Sequence, residues 1–173
     1  ESKKMPRTIK PIRLGDIPQI VSIDKEAFQE PMNRNEIREI KAEVAERTID
    51  QRDGSPDGSV AMKDGRTVLG FCLTSHIDRW TVSIDRIAVS RDARKSGVGR
   101  ALVEHVFSTF PGIEKVYLEA LVHSELLNAQ LFFRSCGFLG KPYEGHIRFV
   151  RSVPLDSLSA RHLKSISKRK VRK

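Results

Sequence analysis

The sequence predicts an α/β domain in which a mixed, mostly antiparallel sheet carries helices on both faces. Short apolar runs of strand length alternate with stretches of helical spacing in the order βααβββαβαββ. A strand over 81–89 leads through a cationic, glycine-containing loop into a helix over 98–109. Hydrophobic residues make up 39% and charged residues 31% of 173 positions, which is enough to build one core and excludes a disordered chain.

Residues 8–13 read as a short edge strand, a place where Pro11 is tolerated. Asp16 offers an N-cap with Pro18 close behind, and Ile17, Ile20, Val21, Ile23 and Phe28 follow at helical spacing. Asn33 or Asn35 caps a second helix through about Val44, with Ile37, Ile40 and Val44 on one side. Residues 47–58 are polar, hold Gly54, Pro56 and Gly58, and read as a loop. A strand at 60–63 then meets Asp64-Gly65, which favours a type I′ turn, and residues 67–73 return as a buried strand. The strand at 81–89 ends in Ile87-Ala88-Val89. Val98, Leu102, Val103, Val106 and Phe107 give the next helix its period. Residues 116–122 form a strand and 125–133 a helix, which stops at Cys136-Gly137 with Gly137 as the left-handed cap. Phe138 and residues 147–153 supply the closing strands. There is no internal repeat.

No apolar run approaches the roughly 18–20 residues that span a bilayer, so no membrane role is expected. The first residues lack the apolar stretch of a secretory signal, and Met5 is a candidate natural start. Cys72 and Cys136 form no CxxC pair, so neither a disulfide framework nor a metal site is expected, and a reducing cytoplasm fits best. The net charge is +9, and residues 161–173 hold seven Lys or Arg and no acid, so the remainder carries only +2. The basic excess therefore reads as a tail apart from the fold.

The informative segment runs from Ile87 to Leu102. A strand enters a loop with Arg94, Lys95, Gly97, Gly99 and Arg100, and the loop opens a helix. Successive amides at a helix start attract an anion, and glycines let the backbone approach a phosphate without a Cβ in the way. A pyrophosphate is the natural ligand. A turn that merely needs its glycines is the plainer alternative. A dinucleotide-binding GxGxxG fails because Leu102 holds the third position and seven residues separate Val89 from Gly97, although Glu119 lies at a suitable distance for a ribose-binding acid. A Walker A loop fails because Gly99 is followed by Arg100-Ala101.

Arg94-Lys95-Ser96-Gly97-Val98-Gly99 resembles the Gln/Arg-x-x-Gly-x-Gly/Ala signature of the GNAT superfamily of acyl-CoA-dependent N-acetyltransferases. The likeness extends from about Ile9 to Val153: Val68-Leu69-Gly70-Phe71 is similar to the family's third strand, and Asn128-Ala129-Gln130-Leu131-Phe132-Phe133, running on to Gly137-Phe138, to its AQ-x-F-Y-x-x-x-G-F segment. Phe28-Gln29-Glu30-Pro31 and 129–133 most resemble the RimI-type alanine N-acetyltransferases of ribosomal proteins. The resemblance implies splayed fourth and fifth strands. It implies that acetyl-CoA is the cosubstrate, with its pyrophosphate held by Arg94, Lys95, Ser96, Gly97, Val98, Gly99 and Arg100. The backbone of Ile87, Ala88 and Val89 would meet the pantetheine arm and polarise the thioester, and the amine would attack directly.

A base must take the proton of the attacking ammonium. Glu119 in Leu118-Glu119 matches the catalytic Glu that the resemblance implies, and the other reading is a solvated strand-end Glu. Asp85, alternating with Ile87 and Val89, is the second candidate; His76 and His123 rank lower. The family's acid Tyr falls on Phe133, which cannot donate a proton, so the role passes to water or to Tyr143 in the loop before the last strand. The interval from Glu119 to Phe133 is longer than in RimI-like chains, which places an insertion at 122–126 or moves the equivalent of Glu119. The family's CoA-contacting Asn falls near Leu126, with Asn128 just beyond.

The expected organisation is an acetyltransferase domain over 6–154 and a basic C-terminal tail over 155–173. The expected function is acetylation of a primary amine, in particular a protein N-terminal α-amine, whose pKa of about 7.7–8.0 asks less of a base than a lysine near 10.4. The alternative is a ribosome- or nucleic-acid-binding module on the same scaffold, using the tail for electrostatics without aromatic stacking. The loops at 28–36 and 139–146 carry no readable code for the acceptor.

Overall fold

A computed structural model describes residues 6–50, 58–78, 80–108 and 117–152. Met5, the tail expected at 155–173, most of the loop expected at 47–58, and positions 109, 116 and 153 at the ends of expected elements lie outside them. The chain divides into two compact units, Glu1–Thr74 with Arg86–Thr109, and Ser75–Asp85 with Phe110–Lys173.

In the first unit, strand β1 is Thr8–Pro11, followed by a single 3-10 turn at Leu14–Asp16 and helix α1 at Ile17–Ala27. Asp16 stands at the head of α1 but makes no side-chain capping bond. Its carboxylate instead accepts the Arg13 N–H at 2.9 Å and pairs with Lys63. Ile17, Ile20 and Ile23 pack with Val44, Ala61, Val68, Phe71 and Ala88 into the unit's core. Helix α2 spans Arg34–Asp50. Asn33 Oδ1 accepts the N–H groups of Asn35 and Glu36 at 2.8 and 3.1 Å, and Glu36 Oε2 accepts the Asn33 N–H at 2.6 Å, a reciprocal capping box. Residues 47–50 of the loop expected over 47–58 belong instead to α2.

Strand β2 is Val60–Asp64 and β3 is Thr67–His76, longer at its end than the expected 67–73. The register shifts between Met62 and Lys63, so Asp64 pairs with Thr67 and the two-residue loop is Gly65-Arg66. Gly65, at the first central position, has φ 60°, and Arg66 has no positive φ. That is the II′ pattern; the expected I′ turn centred on Asp64-Gly65 is displaced by the bulge. Strand β4 is Thr81–Val89 and helix α3 is Val98–Ser108.

Gly70 on β3 lets α3 seat. A Cβ there would lie 2.9 Å from the Ala88 carbonyl oxygen, 2.9 Å from Val98 Cγ1 and 3.3 Å from Leu102 Cδ1. Its neighbour Phe71 points to the other face, into the α1 cluster, so this unit carries helices on both faces of its strands. Gly70→Val should destabilise the fold by roughly 1–3 kcal/mol through overpacking, read as a lower urea midpoint. An unchanged midpoint would contradict the close approach.

In the second unit, strand β5 is Tyr117–His123, helix α4 Leu127–Ser135, β6 Leu139–Tyr143 and β7 His146–Ser152. Helix α4 starts two residues later than expected. Its end is a Schellman motif: Gly137 (φ 84°) donates to the Arg134 carbonyl at 3.0 Å and Phe138 to the Phe133 carbonyl at 3.1 Å. The accompanying apolar contact is Phe133 edge-on to Phe138, centroids 5.2 Å apart. Glu144 and Gly145, with φ 44° and 76°, form the type I′ turn between β6 and β7. Tyr143, expected in a loop, is the last residue of β6 and pairs with His146.

The strands hydrogen-bond in the order β1-β2-β3-β4-β5-β7-β6. The described ladders are antiparallel except the parallel β4–β5 pair, which gives the expected mixed α/β sheet. That parallel ladder runs from Thr81↔Tyr117 to Ile84↔Ala120 and ends there, although β4 continues to Val89 and β5 to His123. Its end is the position the expected splay requires.

Candidate active site

The first unit holds the glycine loop. Ser90 donates to the Leu69 carbonyl at 2.8 Å, which ties the end of β4 to β3. The chain turns through Arg91–Ala93, and Arg94 Nε donates to the Val89 carbonyl at 3.3 Å. Lys95 and Gly97 take left-handed φ values of 57° and 81°. No atom lies within 4 Å of a Cβ built on Gly97, so glycine serves the backbone angle there and space above the loop is open. Ser96 Oγ donates to the Ala93 carbonyl and accepts from Arg7 at 3.3 Å.

Buried Val98 and Leu102 anchor α3. The first backbone bond of this helix runs from the Ala101 N–H to the Gly97 carbonyl at 3.0 Å. Among the described residues, the amides of Gly97, Val98, Gly99 and Arg100 have no backbone acceptor. These are the orphan donors of a helix start, and Arg94, Lys95 and Arg100, all exposed, neighbour them in sequence. The side chains of Ala88 and Val98 are buried, so those two residues offer a ligand only backbone, while Ile87 and Val89 are half-buried.

The second unit holds the candidate base. Leu118, Ala120 and Val122 point into its core, which puts Tyr117, Glu119, Leu121 and His123 on the opposite face of β5. Glu119 stands opposite Ser83 on β4 and Val150 on β7. Its Oε2 accepts from Arg148 Nη2 at 2.6 Å; the Glu119 side chain is 13% exposed and that of Arg148 49%. This hydrogen bond, then the carboxylate's charge, holds the Arg148 guanidinium above its ordinary pKa, with a smaller contribution from Tyr143. Arg148 pairs in register with Leu121 on one side and Lys141 on the other. One step along, His146 lies between His123 and Tyr143, with the two imidazoles edge to face at 5.2 Å.

Asp85 is exposed and accepts from Ser75 Oγ at 3.0 Å. Tyr143 is 50% exposed, and Asn128 is exposed in the first turn of α4. Phe133 is buried, stacked on Phe149 at 5.7 Å, so the position that carries the family's Tyr belongs to the core here. Glu119, Tyr143 and His123 share one sheet face of this unit. Arg148 and Lys141 share it too and were not singled out by sequence reasoning. The signal was Glu144-Gly145: a two-residue turn there fixes Lys141 opposite Arg148.

The acetyltransferase (GNAT) family matches residues 17–138. No curated protein matches the chain. Among solved structures, Ard1 from Thermoplasma volcanium is 20% identical with a TM-score of 0.68, covering 86% of this chain and 98% of its own. The ribosomal-protein-S18-alanine N-acetyltransferase from Escherichia coli is 17% identical, TM-score 0.63, covering 88% and 99%. Naa50 from Arabidopsis thaliana, in complex with the bisubstrate analogue CoA-Ac-MVNAL, is 14% identical, TM-score 0.63, covering 85% and 99%. At these identities the likeness is one of fold. The family match, however, covers well over half of the chain, including the whole 94–99 loop and Glu119, and on that ground the chain belongs to the GNAT acetyltransferase family.

Proposed function

We propose that this protein transfers an acetyl group from acetyl-CoA to an N-terminal α-amine of a protein. The observation that carries the reading is the set of unpartnered first-turn amides at 97–100 beside Arg94, Lys95 and Arg100. A pyrophosphate-bearing acyl donor suits such a site, and the donors present fit it. Ser96, Gly97, Val98 and Gly99 would meet the pyrophosphate through backbone. Ile87, Ala88 and Val89 would offer backbone to the pantetheine arm, and Asn128 a side-chain contact. The α-amine is favoured by relatives of the same fold, one named for a ribosomal-protein alanine and one bound to a CoA–peptide analogue.

Glu119 takes the proton of the acceptor ammonium, directly or through water, with Asp85 as the second candidate. The freed nitrogen forms a bond to the thioester carbonyl carbon as the carbon–sulfur bond breaks. The nitrogen then gives up its second proton, which passes through water or Tyr143 to the departing thiolate and leaves the amide and free CoA thiol. Because Arg148 already occupies Glu119, the acceptor must displace the guanidinium to reach the base. Residues 6–154 would form the transferase domain, acting in the cytoplasm. Residues 155–173 would add electrostatic contact to a ribosome or other nucleic acid. A second reading, a binding module with little catalysis, draws on Phe133, whose buried ring supplies no proton.

Gly99→Glu tests the cofactor site. It puts a side chain and a negative charge where phosphate is expected, and calorimetric affinity for acetyl-CoA should fall by about tenfold or more. Unchanged affinity would place the cofactor elsewhere.

A further inference from the structure

We infer that the preferred acceptor carries a carboxylate close to its amine, and that Arg148 and Lys141 recognise it. The inference rests on Glu119 as the base. The bond to Glu119 is the one hydrogen bond that the Arg148 side chain makes among the described residues, and half of this side chain is exposed. A guanidinium has five N–H donors in a planar fork, so donors remain for a second anion. Lys141 stands directly opposite Arg148 in the β6–β7 ladder, is exposed, and has no acidic partner among the described residues. An exposed edge strand such as β6 suits a lysine, but like charges facing across a ladder disfavour folding. An anion bound between them offsets that repulsion.

The surroundings agree. His146 and Tyr143, the next pair on the same face of the hairpin, add polar groups, while Glu119 is the acid on this stretch of the face and Glu144 sits beyond it in the turn. His146 Nδ1 is hydrogen-bonded to the Glu144 carbonyl at 3.0 Å, which leaves its other ring nitrogen for a ligand. When a zwitterionic acceptor arrives, its ammonium replaces the guanidinium on Glu119, and its carboxylate pairs with the released guanidinium and with Lys141. One ion pair becomes three, and no charge is left without a partner. An amine that carries no carboxylate would displace Arg148 from Glu119 and give it no new partner.

The carboxylate can be the acceptor's own α-carboxylate or an acidic side chain near a peptide N-terminus. Rates of acetylation at subsaturating acceptor distinguish these sources. One arm compares Ser-Asp-Ala-amide with Ser-Asn-Ala-amide; the other compares alanine with alaninamide. The acidic member of at least one pair should react about tenfold faster, and the pair that shows it names the source. Lys141→Glu, with folding checked by its melting curve, should abolish or reverse the preference. Equal rates within both pairs, or a preference untouched by Lys141→Glu, would overturn the inference while leaving acetyl transfer intact. No transfer to any of the four amines would overturn the proposed function with it.

Discussion

Glu119→Gln should lower kcat by roughly 10²–10⁴ with acetyl-CoA affinity little changed. The glutamine keeps the shape, and its carbonyl oxygen can still accept from Arg148, so the local arrangement on β5 and β7 is retained. What is lost is the proposed base. The proposed acetyl-CoA loop at 94–99 does not include Glu119, so cofactor affinity should not follow the loss. Thiol release gives kcat, and calorimetry gives the affinity. Near-wild-type turnover would move the base role to Asp85 or to solvent.

Arg86→Met should cost the fold about 3 kcal/mol, read from the urea midpoint. Asp24 is only 1% exposed. One of its oxygens takes Arg86 Nη1 at 3.0 Å, and the other takes the Met32 N–H at 2.7 Å. Arg86 also donates to the Glu30 carbonyl at 2.9 Å and lies 4.5 Å from the centre of the Phe28 ring. Removing the guanidinium strands a buried carboxylate and releases the 28–32 segment together. Adding Asp24→Leu removes that stranded charge, so the double variant should recover a large part of the loss. A single variant as stable as the parent would show that the carboxylate is solvated in some other way.

The elements were legible where local chemistry decides them. Val82 and Ile84 alternate with polar neighbours, and β4 falls at the expected 81–89. Gly137 announced the end of α4, and Asn33, offered beside Asn35 as a cap, the start of α2. The end of α2 was not legible, because the apolar spacing of Ile37, Ile40 and Val44 that placed it stops at Val44 while the helix runs on to Asp50. The Asp64-Gly65 turn was misplaced by one residue, since the bulge at Met62 and Lys63 is a property of the β2–β3 ladder and not of either strand.

The candidate site divides in the same way. The proposed anion loop is local: a strand end, two glycines, a helix start and the cations Arg94, Lys95 and Arg100 lie within one stretch of chain, so the sequence displayed it. Arg148 is 29 residues from Glu119 in sequence. They meet only because β7 inserts between β5 and β6, and that is a matter of sheet order. Phe133 was readable as a departure from the family pattern, but its place against Phe138 and Phe149 depended on tertiary packing.

The most direct test of the transferase reading is a product analysis by mass spectrometry. The protein is incubated with acetyl-CoA and two peptides, one with a free N-terminus and no lysine, the other with a blocked N-terminus and one lysine. The expected result is one acetyl group on the free α-amine and none on the lysine peptide. Binding of acetyl-CoA with no transfer to either peptide, or transfer to the lysine alone, would contradict acetylation of protein N-termini.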